Sequence, residues 1–400
     1  MTRRRASTQP RRRPETGGLP VRIVHVSDCF APRTGGIETQ VGDLARHQVR
    51  AGHEVHVLTA TLGEGGERGG VVDLEDGVHV HRLGTRLPFD LPVNPLAGPR
   101  LVRHALREVG PDVVHVHAGV LSPFAFDGVR VATAERLPTA ITWHCMLDGT
   151  VGVAGPVVRR TRWRRVPAAL SAVSGAAAQR VREVFDRRVD VVPNGIDVGV
   201  WAPRVAPAPD PSAPLHLVAT MRLAPRKRAV PLVDLVADAV RRLPPGALRL
   251  TLVGDGPARE PVRSRVAAAG LQDVVDLRGR LPREEVRALY AHADVFLAPA
   301  RLESFGIAAL EARTAGLVVL AHAGTGVGEF VTDGVDGYLV ADDAGMSDAV
   351  VRLAQDRGLL ATMRRRAVSV PPPFDWAHVM AAADAQYARA AQLVTSATPA

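Results

Sequence analysis

Two glutamates, Glu303 and Glu311, stand in the otherwise largely apolar stretch ARLESFGIAALEARTAG at residues 300–316. The pattern predicts a helix over 305–316, with Glu303 in the loop ahead of it and Glu311 roughly two turns inside, about 12 Å further along at about 1.5 Å per residue. Paired glycosidase carboxylates lie about 5 to 10 Å apart, so these two are too distant to act on one bond. They suit the two ends of one elongated ligand.

Backbone groups between the glutamates can hold an anion. The first N–H groups of a helix have no partner within it, so those around Phe305 and Gly306 can donate to phosphate oxygens, and Gly306 lets the ligand come close. Glu311 lies among apolar residues, and a buried carboxylate is costly unless it has a partner. The alternative to a ligand site is an ordinary helix, with Glu303 as an acid near its N-terminus and Glu311 facing solvent.

Positive charge is concentrated in the segment RLAPRKRAV. It follows an apolar strand-like run and places Arg222 and Lys227 in a loop before a helix, beside Arg226 and Arg228. Four neighbouring cations repel one another unless an anion compensates, and a diphosphate suits that field. A solvated basic loop is the alternative.

Glycines and histidines mark further loops at strand ends. Gly35 and Gly36 precede a helix and leave room for a ligand near its N-terminus. His115 and His117 in DVVHVHA share one face of a strand, and His144 ends another strand. No Asp, Glu or Cys follows the His-x-His pair at metal-ligand spacing, so we expect no metal site. The alternative for each histidine is a hydrogen-bonded side chain of the core or of its rim, without a role in binding.

Short β-rich runs alternate with helical patterns from residue 21 onward, which predicts two α/β domains with parallel sheets. Five prolines between Pro203 and Pro214 interrupt the pattern and indicate a linker. The predicted divisions are a basic tail at 1–20, an N-terminal Rossmann-like domain at 21–197, the linker at 198–214, a C-terminal Rossmann-like domain at 215–375 and a final helix at 376–394. Ligands of open α/β sheets bind beyond the carboxyl ends of the strands.

The composition favours a soluble protein. The formal net charge is +9, but the first twenty residues hold six Arg and one Glu, so the rest of the chain is only mildly basic and does not indicate nucleic-acid binding. No apolar run reaches the roughly 18 to 20 residues of a membrane span, which predicts a cytoplasmic protein. The cluster RRTRWRR at 159–165 could contact an anionic membrane, although a solvated face is favoured.

These motifs together resemble glycosyltransferase family 4, retaining nucleotide-sugar enzymes of the GT-B fold. The landmarks occur in the family's order from about Val21 to the last helix: GGIETQV, DVVHVHA, SAVSGAA, VPNGID, RLAPRK, GDGP, ADVFLAPARLESFGIAALEA and DGVDGYLV. The resemblance implies two Rossmann-like domains that face one another across a cleft, with the C-terminal helix crossing back to the N-terminal domain. Met221 before Arg222 and Gly328 before Glu329 depart from the family's usual Gly and Pro.

The resemblance also implies roles for individual residues. Glu303, with its neighbour Ser304, would contact the transferred sugar, Phe305 and Gly306 would offer backbone amides to the diphosphate, and Glu311 would hold the ribose. Arg222 and Lys227 would clamp the diphosphate, and Gly36 would border it from the N-terminal domain. The family's catalytic histidine of the cleft would correspond to His117, with His144 as the second candidate. Gly35, His144 and Asn194 are candidates for the acceptor side.

The expected reaction is transfer of a hexose-type sugar from a nucleotide-diphosphate donor to an acceptor hydroxyl, with retention of anomeric configuration. No Asp-x-Asp occurs, so neither a metal nor another cofactor is expected and the cations would stabilise the leaving diphosphate. Expected partners are the donor, an acceptor that is a sugar, lipid or small molecule, and the inner face of an anionic membrane. The alternatives are a nucleotide-sugar epimerase on a similar fold and a non-catalytic membrane-surface or partner protein.

Overall fold

A computed structural model gives the structure of the chain. It describes residues 20–33, 35–66, 70–85, 94–95, 97–147, 155–156, 158, 160–203 and 213–396. Most of the predicted basic tail, the centre of the proline-rich linker and part of the RRTRWRR cluster lie outside the described residues.

The first sheet has eight strands in the spatial order β3-β4-β2-β1-β5-β6-β7-β8. Its inner strands read as short buried runs, as expected where both faces of a parallel sheet are covered. The bounds are β1 Arg22–Ser27, β2 Glu54–Thr59, β3 Val71–Glu75, β4 Val78–Arg82, β5 Val113–Ala118, β6 Thr139–Trp143, β7 Ala169–Ala172 and β8 Asp190–Val191.

The edge strand β3 was not expected from the sequence. It pairs antiparallel with β4 through a tight turn in which Asp76 and Gly77 have φ of 51° and 83°. Two consecutive left-handed residues are typical of a type I′ hairpin, and Asp-Gly between two β-rich runs is its usual signal. That dipeptide in LEDGVHV could have revealed the strand.

The second sheet has six strands in the order β11-β10-β9-β12-β13-β14, and its ladders are parallel. In β9 the side chains of Leu215, Leu217 and Ala219 join one apolar cluster, whereas Val218 joins another, so both faces are covered. The bounds are β9 Leu215–Thr220, β10 Leu248–Val253, β11 Val275–Gly279, β12 Val295–Ala298, β13 Val318–His322 and β14 Gly337–Val340.

Helices follow most of these strands, as the alternating pattern predicts. Their bounds are α1 Gly36–Arg50, α2 Gly98–Val109, α3 Pro123–Ala134, α4 Gly175–Phe185, α5 Val198–Trp201, α6 Ala229–Arg241, α7 Arg259–Ala268, α8 Arg283–Ala291, α9 Ile307–Thr314, α10 Asp343–Gln355, α11 Arg357–Ser369 and α12 Trp376–Ser396. None of the helices in the described part of the chain combines the length and apolarity that crossing a membrane requires.

Contacts divide the chain into two units. The first comprises residues 1–141, 167–169 and 387–400, and the second comprises residues 142–166 and 170–386. Helix α12 therefore contributes its first half to the second unit and its second half, from Tyr387, to the first. The domain limits expected from the sequence stay predictions.

Candidate functional site

Lys227 and Glu303 form an ion pair in the second unit. Lys227 ends a single 3-10 turn in the loop after β9, and Glu303 lies in the loop after β12. Because β9 and β12 are neighbouring parallel strands, their carboxyl ends meet at one edge of the sheet. Both side chains are about one fifth exposed, at 21% and 18%, so solvent reaches the pair.

Two of the four cations of the predicted clamp have internal partners. Lys227 pairs with Glu303, and Arg228 pairs with Asp343 at the start of α10. Carboxylates of the chain itself therefore compensate two of the four positive charges, and the diphosphate clamp stays a prediction. The side chains of Arg222 and Arg226 are exposed and form no hydrogen bond or ion pair with the described residues, so both charges are open to a ligand.

Helix α9 begins one residue after Gly306, later than the predicted start at 305, and it ends at Thr314. Gly306 has φ of 90°, and a Cβ there would lie 2.9 Å from Val327 Cγ2, so both backbone conformation and space require glycine. No side chain caps this N-terminus. Its first N–H groups therefore remain available to an anion. The ring of Phe305 is buried, leaving only its backbone for such a role.

Glu311 has the partner that its apolar surroundings require. Arg283 Nη2 donates to Glu311 Oε1 at 3.2 Å, and the guanidinium lies 5.3 Å from the centre of the Trp201 ring. Glu311 is the fifth residue of α9, so the helix supplies only about 6 Å of rise up to it. The helix alone does not supply the predicted 12 Å between Glu303 and Glu311, because residues 303–306 lie in the loop ahead of α9, and that separation stays a prediction.

Ser304, His144 and Asn194 belong to one hydrogen-bonded group of the second unit. Ser304 Oγ donates to the carbonyl oxygen of His144 at 2.8 Å, and the His144 ring is hydrogen-bonded to Asn194. Desolvation lowers the pKa of His144 to about 4, and the bond to Asn194 opposes that shift. His144 is therefore neutral at pH 7 and can orient a ligand without adding charge.

The remaining candidates lie in the first unit. Gly35 and Gly36 are exposed at the start of α1, and Gly35 is extended with φ of −177°. His117 is 3% exposed near the carboxyl end of β5. Its Nε2 lies 2.9 Å from Nδ1 of His25 on the neighbouring strand β1. Nitrogen atoms of His25, His115 and His117 all lie within 4.8 Å of one another.

Three contacts of the candidate residues and their neighbours were missed by sequence reasoning. Arg283 opens α8 and reaches Glu311, 28 positions away. Glu329 accepts a hydrogen bond from the backbone N–H of Gly175 at 2.7 Å, at the N-terminus of α4. His25 stands in the run VRIVHVS, where a polar residue inside a buried strand was a signal for a buried polar contact.

Comparison with known proteins agrees with this architecture. Residues 211–369 match the family profile described as Glycosyl transferases group 1, and residues 34–200 match that of Glycosyltransferase Family 4. A GDP-mannose-dependent alpha-(1-6)-phosphatidylinositol monomannoside mannosyltransferase of Mycolicibacterium smegmatis is 30% identical over 88% of this chain and 92% of its own length. A D-inositol 3-phosphate glycosyltransferase of Nocardia farcinica is 29% identical over 90% and 86%.

A solved structure shows the same fold. Anabaena Alr3699/HepE in complex with UDP and glucose has a TM-score of 0.69 at 18% identity, covering 94% of this chain and all of that one. The two parallel-sheet α/β domains and the helical C-terminal segment define a glycosyltransferase of the GT-B class. The chain belongs to glycosyltransferase family 4.

Proposed function

We propose that this glycosyltransferase moves a hexose-type sugar from a nucleotide-diphosphate donor to an acceptor hydroxyl, with retention of anomeric configuration and without a metal ion. The observation that carries the proposal is the arrangement around α9. An uncapped helix N-terminus, entered through a left-handed Gly306, follows directly on the Lys227–Glu303 pair. Such an N-terminus stabilises negative charge, and a lysine and a carboxylate beside it suit a phosphate and a sugar hydroxyl.

Charge would develop on the departing diphosphate as the sugar bond breaks. Arg222, Lys227 and the backbone N–H groups after Gly306 would stabilise it, and fixed donors of this kind are often the largest catalytic contribution. Binding of the donor would separate Lys227 from Glu303, freeing Glu303 to accept from the sugar. Ser304 would fix this loop through its bond to His144. Glu311, held by Arg283, would accept from the ribose hydroxyls.

Retention would proceed by front-face attack, in which the acceptor hydroxyl enters on the side from which the diphosphate leaves. The described part of the second unit offers no second carboxylate paired with Glu303, whose ion-pair partner is Lys227. His117, Gly35, Gly36, His144 and Asn194 would serve the sugar and acceptor side. Relatives whose names include phosphatidylinositol monomannoside and inositol phosphate favour a phosphorylated or lipid-linked acceptor at a membrane surface.

The donor is identified first by a thermal-shift screen of UDP, GDP and ADP, followed by their sugars. GDP-mannose takes priority because several similar proteins carry it in their names. Transfer to inositol phosphate or phosphatidylinositol acceptors is then measured with and without EDTA, and the anomeric configuration is read by NMR. EDTA should leave the rate unchanged.

Arg222→Ala and Glu303→Ala should each lower kcat roughly 100-fold or more, the usual effect of losing one preorganised donor or acceptor. Arg241→Ala, an exposed arginine on α6, is the matched control and should keep the parent's rate. Parent-like turnover by both site variants would refute the assignment. Epimerised sugar from donor alone would favour the epimerase, and no nucleotide binding by calorimetry would favour a non-catalytic protein.

A further inference from the structure

Asp343 lies at the centre of a second charged cluster near the candidate donor site. Four neighbouring strands of the second sheet, β9, β12, β13 and β14, each contribute one member at or beyond the carboxyl end: Arg228, Arg301, His322 and Asp343. The carboxyl ends of parallel strands meet at one edge of a sheet, and open α/β folds bind ligands there. The cluster therefore shares that edge with the Lys227–Glu303 pair.

The Asp343 carboxylate contacts three basic side chains. Its Oδ2 accepts a hydrogen bond from Arg228 Nη2 and lies 3.7 Å from Arg301 Nη2. Its Oδ1 lies 3.1 Å from His322 Nε2. One carboxylate therefore joins residues 221–228, the clamp loop after β9, to residues 299–306, the Glu303 loop after β12.

The two arginines of the cluster differ in exposure. The side chain of Arg228 is 22% exposed, whereas that of Arg301 is 54% exposed. Salt screens a partly buried ion pair much less than an exposed one. The contact between Arg228 and Asp343 is therefore the stronger part of the connection between the loops.

The charges of the cluster do not cancel. Two arginines and one carboxylate leave one positive charge. Burial lowers the pKa of His322, and the nearby Asp343 charge opposes that shift only in part, so the ring is neutral at pH 7. A neutral residue in place of Asp343 would leave two arginines without a counter-charge next to the predicted diphosphate clamp.

Stabilising the start of α10 is the competing role for Asp343. A carboxylate in the first turn of a helix is favourable because the N-terminus carries partial positive charge. The cap of α10, however, is Asp342, whose Oδ1 accepts from the backbone N–H of Gly345 at 2.9 Å. Asp343 instead reaches Arg228, 115 positions away along the chain, and the helix itself does not require that contact.

Two ion-pair bridges join the clamp loop to the Glu303 loop. The first is the direct pair of Lys227 and Glu303. The second links Arg228 and Arg301 through Asp343. In the proposed function, donor binding opens the first bridge because both of its side chains turn to the ligand. The second bridge contains none of the groups assigned to the donor, so it can connect the loops while the donor is bound.

We propose that Asp343 is a positioning residue of the donor site, which joins the clamp loop to the Glu303 loop and keeps the Arg228 guanidinium away from the diphosphate. Holding Arg228 back limits the affinity for the nucleoside diphosphate product, which must leave after transfer. The effect on transfer rests on the proposed function, whereas the link between the loops does not.

Hydrogen exchange of the ligand-free protein, read at single residues by mass spectrometry, tests the link. Three backbone N–H groups report on the loops: those of Lys227 and Arg228 donate within the clamp loop at 2.9 and 3.0 Å, and that of Gly326 donates to the carbonyl oxygen of Glu303 at 2.8 Å. In Asp343→Asn, all three should exchange roughly two- to fivefold faster, the effect of losing one partly exposed ion pair.

Asp348→Asn is the matched control. Asp348 lies on the same helix, is exposed and pairs with Arg242 at 2.7 Å. Its replacement removes a carboxylate from α10 without touching either loop. Exchange at the three reporting N–H groups, nucleotide affinity and kcat should all stay at the parent's values.

Nucleotide binding and transfer give the second readout. Asp343→Asn makes the site more positive by one charge, so calorimetry at low salt should show the nucleoside diphosphate bound about two- to tenfold more tightly, and about 0.5 M salt should remove most of that gain. The kcat should nevertheless fall roughly tenfold, because the loops lose their connection while the donor is bound. A variant with a merely destabilised fold would bind the nucleotide more weakly.

Two further variants separate charge from contact. Arg228→Met breaks the same ion pair but removes a cation, so exchange should rise as in Asp343→Asn while nucleotide binding is not tightened. Asp343→Glu keeps the carboxylate and should return the nucleotide Kd to the parent's value. Arg228→Met also tests the link if Asp343→Asn does not fold.

Parent-like exchange at the three N–H groups in both Asp343→Asn and Arg228→Met would overturn the link between the loops. Weaker nucleotide binding by Asp343→Asn at low salt would overturn the effect on the diphosphate. If the parent binds no nucleotide and transfers no sugar, the proposed function fails, and the exchange data still decide whether Asp343 joins the loops.

Discussion

Replacing Glu311 with alanine tests whether this residue holds the ribose of the donor. Glu311 is paired with Arg283, whose side chain is about half exposed, so loss of the pair should change the free energy of unfolding by only about 0 to 1 kcal/mol. Loss of a charged acceptor for two hydroxyls should cost about 1.5 to 3 kcal/mol of binding, or roughly 10- to 150-fold in Kd. The effect on binding therefore exceeds the effect on stability.

Calorimetry measures the Kd of the preferred nucleoside diphosphate and of its 2′,3′-dideoxy form. The parent should bind the dideoxy nucleotide more weakly, whereas Glu311→Ala should bind both forms equally. Glu284→Ala on α8 is the matched control, since Glu284 is exposed beside Arg283 and should leave both affinities unchanged. At saturating donor, kcat of Glu311→Ala should stay within a few-fold of the parent, unlike that of Glu303→Ala.

The assignment of Glu311 would be refuted by a variant that binds the diphosphate within twofold of the parent while the parent still distinguishes ribose from dideoxyribose. That result would place the ribose elsewhere. It would leave Glu311 as a structural partner of Arg283 only.

Three other changes follow from the structure. Gly306→Ala should weaken nucleotide binding and lower stability by about 1 kcal/mol or more, because φ is 90° and Val327 lies 2.9 Å from the new Cβ; calorimetry and chemical denaturation measure the two effects. Arg313→Met should lower the free energy of unfolding by about 3 to 5 kcal/mol, since it leaves buried Asp336 without its partner at 2.7 Å, and unchanged denaturation would contradict this. Stability should fall as the pH drops from 6.5 towards 4, because folding lowers the pKa of His25 to about 4 and the unfolded chain then binds more protons. The His25→Asn variant should be less stable than the parent at pH 7. Its free energy of unfolding, measured by chemical denaturation, should fall less than the parent's between pH 6.5 and pH 4.

Periodicity located the elements of the fold within one or two residues where the pattern was strong. The final helix was expected at 376–394 and spans Trp376–Ser396, and the helix expected at 305–316 spans Ile307–Thr314. Strand β3 was missed because its exposed edge mixes apolar and polar residues, with Leu74 68% exposed. Hydrophobic periodicity predicts a strand least well at such a sheet edge.

The sequence by itself determined the two parallel-sheet halves, the family and the residue types of the donor site, because these depend on local hydrophobic period and on motif order. Only the tertiary structure decided which side chains contact one another. Lys227 meets Glu303 across 76 positions, and Tyr387 meets His115 across 272. Such contacts depend on which strands lie side by side and on where the last helix packs, and no local pattern carries that information.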